Sequence, residues 1–132
     1  MSVQSGSATT WRFVNPRLHV RHVRQAQEYY REMFGLEIRW AWGEDLGGVG
    51  VDDLELYLVR RDAPTPSEIA VFVDDADAAY ERCRAAGAKI VTPIATERWG
   101  LRGFTIEDPD GNRIGIAHEV HSPAGHPEYT SF

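Results

Sequence analysis

The stretch from Glu97 to His118, ERWGLRGFTIEDPDGNRIGIAH, decides how the rest of the chain is read. Phe104-Thr105-Ile106 and Arg113-Ile114-Gly115-Ile116 are short β-prone runs. Between them Asp108-Pro109-Asp110-Gly111-Asn112 supplies a proline that presets φ, and a glycine and an asparagine that tolerate positive φ. This spacing predicts a hairpin. On its second arm Ile114 and Ile116 alternate with Arg113, Gly115 and Ala117. One face therefore suits a core, and the other suits something with room and polarity.

Upstream of the hairpin, Glu68 to Val73 (EIAVFV) reads as a strand and Asp75 to Ala86 as a helix with an Asp-rich start, stopped by Gly87. Lys89 to Ile94 is a strand that leads into the hairpin. The first half follows the same order. Trp11 to Val23 alternates as a strand, with Leu18 and Val20 on one face and Asn15, Arg17 and His19 on the other. Gln25 to Phe34 has helical spacing and Gly35 ends it, Leu36 to Trp42 is a strand, and Gly43 to Gly50 is rich in turn residues. Leu54 to Val59 is a strand with Leu54, Leu56 and Leu58 on its core face. Superposing Val20 on Val73 aligns His22 with Asp75, Ala26 with Ala79 and Tyr30 with Cys83. The chain thus predicts an α+β fold in which one β-α-β-β-β unit is used twice, as a curved mixed sheet around a cleft. The expected organisation is a flexible leader (1–10), a first module (11–60), a proline-bearing linker (61–67), a second module (68–118) and a tail (119–132).

With 132 residues, 42% apolar and 26% charged, the chain is long enough for one ordinary domain or two small modules sharing a core. A formal net charge of −6 argues against nucleic acid as a partner and favours a basic guest. Met1 to Thr10 has neither a basic nor an apolar signal region, and no apolar run reaches membrane-spanning length. The single Cys83 cannot form an internal disulfide. Together these features lead to the expectation of a cytoplasmic protein. Nucleophile elbows, phosphate loops, dinucleotide fingerprints and Cys-Cys metal patterns are absent from the sequence.

VNPRLHVRHVRQAQEYYREMFGLEI resembles the strand-helix opening of the vicinal oxygen chelate superfamily, which includes glyoxalase I, bleomycin resistance proteins and extradiol dioxygenases. EIAVFVDDADAAYERCRAAGAKIV with WGLRGFTIEDPDGNRIGIA is similar to the second half of that family. The resemblance implies paired modules, assembled as a homodimer whose clefts draw on both halves. It also implies a divalent metal held by one inward residue on the first and last strands of each module. The matching positions are Asn15, Glu55, Glu68 and Gly115, of which only Glu55 has the expected type. Two carboxylates and an amide could hold Mg²⁺ or Ca²⁺ loosely, but without an imidazole they make a weak site for Zn²⁺, Ni²⁺ or Fe²⁺, so the expectation is no resident metal and no cofactor. His19 lies four residues along the Asn15 face and stays open as a ligand or as a pocket-lining residue.

The positions off the core face are Asn15, Arg17, His19, Arg39 or Trp40, Trp42, Asp53, Glu55 and Tyr57. From the second module come Glu68, Ala70, Phe72, Trp99, Phe104 and Gly115, with Arg102 as a charge partner for the glutamates. Aromatic walls with a few polar anchors suit a planar guest. Trp99 is singled out because the resembling bleomycin-resistance group carries a Trp-Gly at the rim of its ligand cleft. The expected function is metal-independent capture of a small aromatic compound, such as an antibiotic or secondary metabolite, by a homodimer. The alternative is a lyase, isomerase or dioxygenase working through Glu55, Glu68 and His19, by metal or by acid-base chemistry.

Overall fold

The computed structural model describes residues 8–132, so most of the expected leader lies outside the described residues. Among the described residues, two helices and eight strands run in the order β1 (Arg17–Val20), α1 (Val23–Phe34), β2 (Glu37–Trp42), β3 (Leu46–Val51), β4 (Leu54–Arg60), β5 (Glu68–Phe72), α2 (Ala76–Ala85), β6 (Lys89–Thr96), β7 (Leu101–Glu107) and β8 (Arg113–Glu119). They form two four-stranded sheets, β1-β4-β3-β2 and β5-β8-β7-β6. Each opens with a parallel pair, β1 on β4 or β5 on β8, and continues antiparallel. The fold is therefore α+β, with two tandem β-α-β-β-β modules, each built on its own mixed sheet.

The repeat holds in detail. His22 and Asp75, aligned by sequence, are the residues preceding the first turn of α1 and α2. Asp75 accepts a hydrogen bond from the Ala78 N–H, whereas His22 makes no side-chain cap. Gly35 ends α1 in the left-handed region at φ 71°. The glycine-rich run at 43–50 hides β3, whose Val49 is its one fully buried large residue. Trp11 to Pro16, read as strand, has no regular structure.

Leu18, Val20, Leu56 and Leu58 face α1, while Ile106, Ile114, Ile116 and Phe104 face α2. The two sets share a core with Tyr30, Met33 and Cys83, because α1 packs against α2. Burial pushes the Cys83 thiol up to about 11. The hairpin turn clasps the modules together. Asp108 accepts from the Tyr30 hydroxyl at 2.7 Å and from the Asn112 amide and backbone N–H groups at 3.0 and 2.8 Å. Asn112 donates onward to the His19 carbonyl and accepts from the Ser67 N–H. With the helices on the shared side, the opposite face of each sheet is left uncovered within one chain.

Candidate functional site

Residues paired across a ladder point to the same side of a sheet. Arg17 pairs with Tyr57, Tyr57 with Gly48 and Gly48 with Trp40, so these four form one row across the uncovered face of the first sheet. Strict alternation would place Glu37 and Trp40 on opposite faces. An irregularity between Ile38 and Trp40 brings both to the uncovered one. Trp40 lies directly over Gly48, where an added Cβ would fall 2.3 Å from the indole nitrogen. The Trp40 ring meets Tyr57 edge-on at 5.2 Å, and the Arg17 guanidinium sits 5.8 Å from the Tyr57 centroid.

Glu55 occupies the next row. Its carboxylate lies 3.4 Å from both the Arg39 guanidinium and the Trp40 indole nitrogen, and Arg39 also donates to the Asp52 carbonyl at 2.9 Å. The Asn15 amide donates to the Glu55 carbonyl at 3.0 Å. His19 is half-buried, and its Nδ1 accepts from the Thr65 N–H at 3.2 Å, so it is tied to the linker. Trp42 stands clear of these contacts and is 76% exposed.

On the second sheet, Glu68, Ala70 and Phe72 pair with Arg113, Gly115 and Ala117, and Gly115 pairs with Thr105. The floor of this face is therefore made of small residues. Phe72 and Trp99, 61% and 51% exposed, line an open hollow of about 190 Å³ above it. Sequence reasoning identified both aromatics. It missed Gly48, whose lack of a side chain makes room for Trp40, and it left Arg39 and Trp40 as alternatives; the strand irregularity lets both reach Glu55.

Two expected site residues are corrected. Phe104 and Arg102 pair with Ile116 and His118 and so point to the helix side of the sheet. Phe104 is buried edge-on against Tyr80 at 4.9 Å, although it also borders the hollow on the second sheet. Arg102 grips Asp77 of α2 at 2.8 and 2.9 Å, which holds that carboxyl below its usual range. Alternation along β7 sends Leu101, Gly103 and Thr105 to the uncovered face, one residue out of phase with the sequence reading. His118, the last residue of the expected second module, accepts from the Ala76 N–H at 2.8 Å at the start of α2.

The divalent metal that the resemblance implies finds no matching set of ligands at the four corresponding positions. Asn15 is committed to a backbone carbonyl, Glu55 to an arginine, Gly115 has no donor side chain, and Glu68 belongs to the other sheet. Among the described residues no three His, Cys, Asp or Glu side chains converge. The donor set within one chain does not fit a resident transition ion. Glu55 and Glu68 likewise do not face each other across one cavity within the chain.

A family model described as "Glyoxalase/Bleomycin resistance protein/Dioxygenase superfamily" matches residues 12–116. An uncharacterized protein of Mycobacterium bovis is 36% identical over 56 residues, 42% of this chain and 37% of that protein. The matched stretch thus spans little more than a third of that relative. Among solved structures, TioX from Micromonospora sp. ML1 superposes with a TM-score of 0.73 at 22% identity, covering 83% of this chain and 99% of that one. A bleomycin resistance determinant encoded on transposon Tn5 gives 0.73 at 18% identity, covering 83% and 98%. A lactoylglutathione lyase from Agrobacterium tumefaciens gives 0.70 at 20%, covering 83% and 95%. At these identities the structures establish the shared fold alone. No helix among the described residues is long and apolar enough to cross a membrane.

Proposed function

The chain belongs to the glyoxalase/bleomycin resistance protein/dioxygenase superfamily, and from that premise we propose that it is a metal-independent binding protein that captures a small planar aromatic compound, preferentially a basic one. Two copies pair so that the uncovered face of one module meets that of another, in a cytoplasmic homodimer. The observation that carries this reading is the exposure of Trp42, Phe72 and Trp99 on faces that the chain's own helices leave open. Phe72 and Trp99 border one hollow, and exposed apolar rings that share a face mark a surface that is covered in use. Here a second copy supplies the cover and the guest fills what remains. Trp40, Tyr57 and Arg17 give a pre-packed wall, and Glu55 gives a negative group near it. Chain charge of −6 supports a basic guest.

The enzymatic alternative has in its favour the fold shared with the lactoylglutathione lyase. Against it, Glu55, Glu68 and His19 are not gathered in one chain, and His19 is engaged by the linker. Metal analysis of protein purified without chelator separates the readings. The expected result is substoichiometric transition metal and a melting temperature unchanged by EDTA. A full equivalent of Ni, Zn or Fe would overturn the metal-independent reading. Binding is tested by quenching of the intrinsic tryptophan fluorescence with bleomycin and a panel of planar cationic aromatics. Trp99→Ala is expected to weaken the best binder at least about fivefold while changing stability by under ~1 kcal/mol, since the ring is half exposed.

A further inference from the structure

The tail beyond residue 119 lies outside the stretch matched by the family model, yet it is built against the rim of the second sheet. The Val120 N–H donates to the Gly100 carbonyl, and an added Cβ at Gly100 would fall 2.3 Å from the His121 carbonyl oxygen. Two consecutive turns follow, closed by His126 N–H to Pro123 O at 3.0 Å and Tyr129 N–H to His126 O at 2.9 Å. The Glu128 N–H donates to His126 Nδ1. These turns bring Glu128 and Tyr129 back to Arg98 and Trp99, enclosing with Pro123 and His126 a cavity of about 190 Å³. Inside this group the Arg98 guanidinium lies 5.7 Å from the Trp99 ring centroid and pairs with the Glu128 carboxylate.

We propose that Trp99, Tyr129 and Glu128 form a binding site for an organic cation, an alkylammonium or guanidinium group, and that Arg98 occupies it as a built-in competitor. The chemistry is that of an aromatic cage. An indole face and a phenol attract a weakly hydrated cation through their quadrupoles, and one carboxylate supplies the countercharge. Arg98 satisfies the same features from within the chain, so an incoming cation must displace it. Trp99 also borders the hollow on the second sheet, which places this site beside the proposed guest cleft. Glu128 and Tyr129 do not line that hollow, so the two sites can be tested separately.

The probe is tetramethylammonium, titrated while the tryptophan indole N–H resonances are followed by NMR. Arg98→Ala is expected to bind it at least about fivefold more tightly than the wild-type chain, with one indole resonance moving. Adding Glu128→Gln or Tyr129→Ala to Arg98→Ala should return affinity to the wild-type level or below. The proposal is overturned if Arg98→Ala binds no more tightly than wild type, or if both double variants bind as well as Arg98→Ala. Thermal melts of each variant, expected within about 2 °C of wild type because all three side chains are at the surface, check that the fold is intact. Failure of the aromatic panel to bind would leave the tetramethylammonium result standing, and the converse also holds.

Discussion

Replacing Tyr30 with Phe tests the clasp that fixes the two modules relative to each other. The ring contacts, edge-on to Tyr29 at 5.3 Å and tilted against Phe34 at 5.8 Å, survive the change. What is lost is the 2.7 Å hydrogen bond from a fully buried hydroxyl to Asp108, itself 4% exposed. Hydrogen bonds to charged groups contribute about 1.5–3 kcal/mol, and Asp108 keeps its Asn112 and Asp110 donors, which points to the lower half of that range. For a domain of this size the melting temperature should fall by roughly 5–8 °C. Urea denaturation at pH 7 measures the difference directly. The alkaline limb supplies a second check. Burial, then the Asp108 carboxylate, hold the Tyr30 hydroxyl well above its ordinary value of 10.0. The folded protein therefore keeps this proton when the unfolded chain releases it, and the contribution present below pH 10 is lost as pH rises above it. Tyr30→Phe removes that loss, so the gap between variant and wild type should narrow above pH 10. A neutral-pH penalty below about 0.5 kcal/mol, or a gap that widens with alkali, would refute the clasp as described.

Gly48→Ala should separate binding from folding on the first sheet. The new Cβ would lie 2.3 Å from the Trp40 indole nitrogen, and because that ring is a half-buried side chain on the uncovered face rather than part of the core, it should shift at a cost of about 1 kcal/mol. Loss of the pre-packed Trp40–Tyr57 wall should weaken the best aromatic ligand by roughly two- to tenfold, read by fluorescence quenching. Asp75→Ala removes the hydrogen bond to the Ala78 N–H and should cost about 1 kcal/mol in chemical denaturation. His22→Ala, at the matching position of the other module, should cost far less, because no side-chain cap is present there. Equal effects of the two would contradict the assigned caps.

The repeat was legible because apolar alternation and helix stops are local signals. Leu18 and Val20, Leu56 and Leu58, Ile114 and Ile116 mark core faces by period alone, and the structure buries all six. β3 was not legible, since Gly47, Gly48 and Gly50 have no side chains to show a period. On the candidate site, alternation put Arg17, Tyr57, Glu55, Trp42, Phe72 and Glu68 off the core faces, but it left Arg39 and Trp40 as alternatives that only the irregularity in β2 resolves. Arg102 and Phe104 were misplaced, because a one-residue error of phase moves a side chain to the opposite face.

By itself the sequence determined the duplicated α+β scaffold, its apolar interior and a set of aromatics that this interior does not need. Only the tertiary structure decided which of those aromatics share a surface, through the bulge that turns Trp40 over Gly48 and the tail that returns to Trp99. The physical reason is range: periodicity and capping are written within a few residues of each other. Strand register and the shared cavity of Tyr129 and Trp99 depend instead on contacts between distant segments, whose pairing no local pattern encodes.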